Sequence, residues 1–354
     1  MKALLTAGGH GTRLQPLTHT QNKHLIPIAN KPMIHFALEY LKEAGIIEVG
    51  IIINAGDTSF PEVLGDGSNW GIKITYIEQE APLGLAHVVK IAEPFIGEEP
   101  FVFYLGDNIL VGGIKKFIDT FKTQKSNCHL VLSQVGDPTR FGVAEIKDDK
   151  ILNIEEKPLN PKSNYAVTGI YFYDKSIFEA VNAIKPSARG ELEISDAHQY
   201  LLDHNKKITF SEITGWWKDT GNPADLLEAN RLVTDNIVHK IYAQVDESNQ
   251  IFGRVIIEQG AKLKNCVIRG PAIIGKNSVL VDAYIGPFTS ISDGCFIGNS
   301  EVEYSIVMEG SRIQDAGIRI EGSLIGKNVD IVKAKSKPRT QRFMIGDQSR
   351  VELL

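Results

Sequence analysis

The sequence predicts an α/β protein: a Rossmann-like domain on a mostly parallel mixed sheet, followed by a C-terminal left-handed parallel β-helix. Three observations predict it. The first two thirds alternate short β-branched runs with stretches of helical apolar spacing. The first of these runs ends in a cluster of glycines. Beyond about residue 245, apolar residues return at every sixth position, a period that suits neither a helix nor a simple strand.

Taken in order, Lys2–Thr6 is an apolar run that ends just before Gly8 and Gly9. Residues 32–44 carry apolar side chains at helical spacing and stop at Gly45. Strand-like runs follow at 48–53, 72–77, 100–105 and 129–134, with helical stretches at 85–92 and 114–122 between them. A sheet of this kind binds ligands at the C-terminal ends of its strands. Residues 225–242 read as a helix joining a first domain, 1–240, to a second, 245–354. In the second domain the six-residue frame runs Val255, Ala261, Val267, Ile273, Val279, Ile285, Ile291, Ile297, with Gly275, Gly286 and Gly298 beside it. The frame slips near Glu303 and resumes at Val307, Ile313, Ile325 and Ile331.

A chain of 354 residues is long enough for two domains. Its net charge of −5 argues against nucleic acid as a partner, so cations that meet an anionic ligand must be gathered locally. Cys128, Cys266 and Cys295 lack metal-ligand or disulfide spacing. No stretch is apolar enough to span a membrane, and the expected location is the cytoplasm.

The chemistry begins at Gly8-Gly9-His10-Gly11-Thr12-Arg13. Glycines let backbone N–H groups converge on phosphate oxygens, and Arg13 adds a forked cation. The spacing is neither GxxxxGK[ST] nor GxGxxG, which excludes a P-loop and a dinucleotide fingerprint. Read alone, the loop is equally a tight turn or an anion cradle. Asp107, in Gly106-Asp107-Asn108, follows the apolar run 101–105, and Asp219, in Trp217-Lys218-Asp219, comes after the strand-like run 207–213, positions where this architecture places reactive groups. Read alone, each is also an ordinary turn former.

Residues 8–33, from Gly8-Gly9-His10-Gly11-Thr12-Arg13-Leu14 through Lys23-His24-Leu25-Ile26-Pro27 to Lys31-Pro32-Met33, resemble the sugar-1-phosphate nucleotidyltransferases. The similarity extends to about residue 235 and is strongest to the long forms that act as glucose-1-phosphate thymidylyltransferases. It implies that 1–240 is the catalytic domain, with dTTP and glucose 1-phosphate as substrates and Mg²⁺ as cofactor. By resemblance, Gly8, Gly9, Gly11, Thr12, Arg13, Gln79 and Gly84 bind the nucleotide. Gly142, Glu156, Lys157, Val167, Gly169 and Arg189 hold the sugar phosphate, and Asp107 and Asp219 hold the metal. Arg13, Lys23, Asp107, Lys157 and Asp219 then carry catalysis. Two departures bear on base choice and phosphate contacts: His24 stands where glutamine is frequent, and His10 fills a position that is usually small. UTP therefore remains an alternative donor.

The main rival from another class is sugar-phosphate acyl transfer in the β-helix. Such sites use a histidine base, and every histidine here lies at or before His239. A structural or homo-oligomerising role is the expectation for residues 245–335.

Overall fold

A computed structural model describes residues 1–9, 11–334, 341 and 343–352. His10 lies outside the described residues. The chain forms two compact units: Met1–His10 with Ile34–Asp219, and Gly11–Met33 with Thr220–Leu354.

The first unit is a nine-stranded mixed sheet. Phe101–Leu105, Lys2–Thr6, Glu48–Asn54 and Lys73–Gln79 lie side by side and parallel. Leu4, Leu5, Val49, Ile51 and Ile52 are fully buried, as expected for parallel strands covered on both faces. Tyr165–Tyr173 runs antiparallel to Phe101–Leu105, Cys128–Gln134 and Gly142–Lys147. Its pairing with Cys128–Gln134 shifts register between Val167 and Tyr171, a bulge of the kind that re-aims side chains beside functional sites. A short ribbon, Asn108–Leu110 with Trp217–Asp219, stands apart from the main sheet.

In the second unit the helix spans Pro223–Thr234, shorter than the predicted 225–242. Asn222 caps it by accepting the N–H of Asp225, and Pro223 supplies a pre-set first turn. Residues Lys240–Ile241, placed in the helix by the sequence reading, instead form the first strand of the β-helix, parallel to Val255–Ile257.

The β-helix consists of stacked parallel strands on three faces. Its coil is not built of three equal hexads. Val255 pairs with Ala272 and Lys262 with Val279, and corner residues such as Asn265 and Asp282 stack at a separation of 17, which is not a multiple of six. The predicted frame therefore meets the core at Val255, Ala261, Ile285, Ile291 and Ile297, and after its slip at Val307, Ile313 and Ile325 with Ile331 packed against them, but misses it at Val267, Ile273 and Val279. Ile268 and Leu280 fill the core where Val267 and Val279 were expected. Ile273 is buried on the opposite face of its strand from Ala272 and Ile274. Later coils deviate by one residue either way: Asn299 and Asp315 stack at 16, Arg319 and Glu301 at 18.

Two buried histidines in the first unit make stability depend on pH. Burial lowers the pKa of His129 from 6.5 to about 4 and that of His198 from 6.5 to about 3. The unfolded chain takes up protons below pH 6.5 that the folded chain refuses, so these groups reduce stability progressively as pH falls from 6.5 toward 4. Denaturant midpoints are expected to drop between pH 7 and pH 5. His198→Phe, which keeps a ring against Tyr171 and Tyr173 but cannot titrate, should flatten part of that drop.

Candidate functional site

The ribbon brings the two predicted metal aspartates to one end of the first unit. Asp219 lies opposite Asn108, and Asp107 precedes Asn108 directly. Asn108, only 3% exposed, organises the surroundings. Its Nδ2 donates to Asp107 Oδ1 at 3.0 Å, while its Oδ1 accepts from Trp217 Nε1 at 2.6 Å and from the Gly169 N–H at 3.4 Å. Its carbonyl accepts from Tyr104 Oη at 2.7 Å. Gly169 sits in the bulge because nothing larger fits: a Cβ there would lie 2.5 Å from Asn108 Nδ2 and 2.7 Å from Leu105 Cβ.

A cleft opens between this ribbon and the strand ends. Asp107, Gly142, Glu156, Val167, Gly169 and Asp219 all line it, as does Arg140. Glu156 accepts from Ser195 Oγ at 2.6 Å and lies 3.6 Å from Lys157 Nζ and 3.7 Å from Arg189. A Cβ on Gly142 would meet Ser195 Oγ at 2.6 Å and Glu156 Oε2 at 3.2 Å, so this glycine leaves room for that pair. Arg189 is anchored by two bonds to Glu193, at 2.7 and 3.1 Å. Burial lowers its pKa, but the Glu193 bonds and the fields of Glu191 and Glu156 outweigh that and raise it.

The cleft is acidic. The Tyr171 hydroxyl on its wall is pushed up first by burial, then by Glu156, Asp107 and Asp219 together. Asp196 nearby is raised by burial and by Glu193 and Glu156. Among the described residues no group of three or more His, Cys, Asp and Glu side chains is placed to hold a metal alone. Asp107 and Asp219 would supply two carboxylates and leave the remaining positions to ligand oxygens.

The nucleotide-binding candidates fall in both units. In the first, Gly9 donates its N–H to Asn54 Oδ1 at 3.0 Å, and a Cβ on Gly8 would come within 3.9 Å of Gln79 Oε1. Gln79 Nε2 donates to His87 Nδ1 at 3.1 Å, which fixes the amide with its oxygen on the Gly8 side. Burial, then Lys90, lowers the His87 pKa, so the ring is neutral at pH 7 and can accept this bond. Gly84, at φ 100°, opens the helix Leu85–Ile91, and a Cβ there would collide with the Leu192 carbonyl at 2.4 Å. Leu192 bonds Leu83 and Ala86 through its backbone, tying the Gly84 turn to the Arg189 loop.

In the second unit, Thr12 and Arg13 form the turn Thr12–Leu14, and Lys23 begins the turn Lys23–Leu25. Gly11, at φ 57°, packs against Thr18 and Lys23, where a Cβ would stand 2.9 Å from Thr18 Cγ2 and 3.2 Å from Lys23 Cβ. His24 is buried, and its ring Nδ1 donates to Asn22 Oδ1 at 2.8 Å. Four polar residues were missed by the sequence reading: Asn54, Ser195, Glu193 and His87. Only Asn54 carried a visible signal, as a lone amide ending a buried apolar run.

The chain belongs to the nucleotidyl transferase family, whose family model matches residues 2–236. It is 49% identical to a glucose-1-phosphate thymidylyltransferase of Streptomyces antibioticus, over 100% of this chain and 99% of the relative. It is 40% identical to the low-salt glycan biosynthesis nucleotidyltransferase Agl11 of Haloferax volcanii, over the full length of both. A crystal structure of a Bacillus anthracis protein assigned as a glucose-1-phosphate thymidylyltransferase, in complex with sucrose, superposes with a TM-score of 0.64 at 42% identity. That match covers 68% of this chain and 98% of the other, so the additional length here has no counterpart there.

Gly169→Ala tests the packing around Asn108. The added methyl should cost about 1–3 kcal/mol of stability through overpacking. Denaturant titration beside a turnover assay should show both fall together. Unchanged stability would mean that Asn108 and Leu105 yield freely.

Proposed function

We propose that this chain transfers a thymidylyl group from dTTP to glucose 1-phosphate, giving dTDP-glucose and pyrophosphate. One observation carries the reading: one cleft joins the Asp107–Asp219 end of the ribbon to Glu156, which Lys157 and Arg189 flank at 3.6 and 3.7 Å. The full-length likeness to a thymidylyltransferase supports the choice of donor. The free, buried thiols of Cys128, Cys266 and Cys295 fit a reducing cytoplasm.

The sugar phosphate is anionic near neutral pH, so its oxygen needs no base to attack the α-phosphorus. That P–O bond forms as the bond to the leaving pyrophosphate breaks in line. The obstacle is repulsion between two polyanions, and the protein's task is positioning and charge compensation. Lys157 and Arg189 receive the incoming phosphate, which displaces Glu156 and Glu191 from the guanidinium while the Glu193 pair keeps it anchored. Glu156 accepts from sugar hydroxyls, and Gly142, Val167 and Gly169 shape the wall. Gly8, Gly9, Gly11 and Thr12 cradle the triphosphate, Arg13 offsets charge on the leaving group, and Lys23 lies along the phosphates. Gln79, oriented by His87, meets the imide edge of the base beside Gly84. Asp107 and Asp219 fit Mg²⁺, which takes few protein ligands and, when bound, would neutralise charge developing on the α-phosphate.

Pyrophosphate release across dTTP, UTP, ATP, GTP and CTP against several sugar 1-phosphates tests the substrates. The highest kcat/KM is expected for dTTP with glucose 1-phosphate, and a clear preference for another pair would overturn that choice. Asp107→Asn should fold normally and lose roughly 100-fold or more in turnover, with little change in the KM for glucose 1-phosphate. Near-normal turnover would sink the metal assignment. Lys157→Ala should raise the KM for glucose 1-phosphate by about 10-fold or more, the scale of a lost charged hydrogen bond. Wild-type kinetics would remove Lys157 from the phosphate site.

A further inference from the structure

The second unit gathers Gly11–Met33, with Arg13 and Lys23, together with the β-helix and the helix Pro223–Thr234. Its polar centre is Asn230, which is fully buried. Asn230 Oδ1 accepts the Ala29 N–H at 2.8 Å and the Ser290 hydroxyl at 2.8 Å. Its Nδ2 donates to the Phe288 carbonyl at 2.9 Å. Beside it, Asn30 Nδ2 donates to the Ile291 carbonyl at 2.6 Å, and Asn30 Oδ1 accepts from Ser292 Oγ at 3.2 Å. The pair Ala29–Asn30 is thereby tied to one segment of β-helix coil, residues 288–292.

This turn needs outside support. Ala29 and Asn30 both have left-handed backbone, at φ 50° and 60°, which alanine rarely adopts unaided. They close the hairpin of Pro27–Ile28 and Lys31–Pro32. The hairpin continues directly from the Lys23 turn: the Ile26 N–H bonds the Lys23 carbonyl at 3.1 Å, and the Met33 N–H bonds the Ile26 carbonyl at 3.2 Å. Lys23 in turn backs Gly11, whose carbonyl accepts from the Leu14 N–H and the Thr18 hydroxyl. A continuous run of short contacts thus leads from coil 288–292 through Asn230 to Ala29–Asn30, then to Lys23 and the Arg13 turn.

We propose that the β-helix serves the transfer reaction by positioning. Coil 288–292, acting through Asn230 and Asn30, holds Lys23 and Arg13 in the form that receives the triphosphate. Asn230, Asn30 and Ser290 are then positioning residues. The inference rests on the reading of Arg13 and Lys23 as triphosphate ligands. If the network were only an adhesive, its loss would lower stability and leave both Michaelis constants unchanged.

The test uses the full chain. Ser290→Ala removes only the coil's hydroxyl from Asn230, and Asn30→Ala removes both bonds of that side chain. Each should raise the KM for the triphosphate that the wild type uses best by about three- to tenfold, with the KM for the sugar phosphate within about twofold. Asn230→Ala should exceed both, and Asn230→Asp, which keeps the acceptor for Ala29, should recover part of the loss. If Asn230→Ala does not fold, Ser290→Ala and Asn30→Ala decide. An unchanged triphosphate KM in folded Ser290→Ala and Asn30→Ala, with only a lower Tm, overturns the proposal. Lys23→Ala separates the two levels. If it leaves the triphosphate KM unchanged, the reading of Lys23 fails and the proposal falls with it. If it raises that KM while the other variants do not, only the positioning role fails.

Discussion

The buried amide of Asn108 is the constraint on which the first unit's site depends. One side chain accepts from Trp217 and Gly169 and donates to Asp107. It therefore couples the ribbon carrying Asp219, the bulged strand carrying Val167 and Gly169, and the strand end carrying Asp107. Each bond is worth only about 1 kcal/mol net. A buried amide left with open valences costs more than that, so the three elements hold one another in place. The bulge and the bare backbone of Gly169 are the local conformations that this arrangement requires.

The electrostatics of the cleft follow from the same geometry. Burial first, and then Glu156, Asp107 and Asp219, push the Tyr171 hydroxyl up, in a chain that is already negative overall. Such a site repels phosphates unless cations intervene. Lys157 and Arg189 supply part of the compensation, and both are balanced by acids: Glu156 beside Lys157, and Glu193, Glu191 and Glu156 around Arg189. The cations are thus held in place and partly neutralised by carboxylates; under the proposed function, the sugar phosphate would take over part of that pairing.

Much of this was legible in the sequence, for definite reasons. The strands Lys2–Thr6 and Phe101–Leu105 announce themselves because buried parallel strands are apolar throughout. Asp107 stands out as an acid just past an apolar run, and Asp219 as one that follows a strand-like run. What pairs them was not visible, because the ribbon joins residues more than a hundred positions apart. The roles of Ser195 and His87 were likewise hidden: each acts on a partner side chain, and neither Gln79 nor Glu156 shows in its own neighbourhood what will orient it. The helix predicted to reach residue 242 ends at Thr234 because Lys240–Ile241 gains ladder bonds with the first full coil. Local spacing cannot register that gain.

The uneven coils of the β-helix have a consequence for how such a chain tolerates change. The later coils depart by a residue from the length of the earlier ones, while the central core positions, Ile268, Ile285 and Val302 on one face and Leu280, Ile297 and Ile313 on another, stay stacked. The corners therefore act as a buffer: a residue gained or lost there bulges into solvent and leaves the ladder intact. The same change inside a strand would turn a core side chain outward. Insertions and deletions among related chains should accordingly collect at the corners, and a fixed repeat length is the wrong ruler for counting coils in this kind of fold.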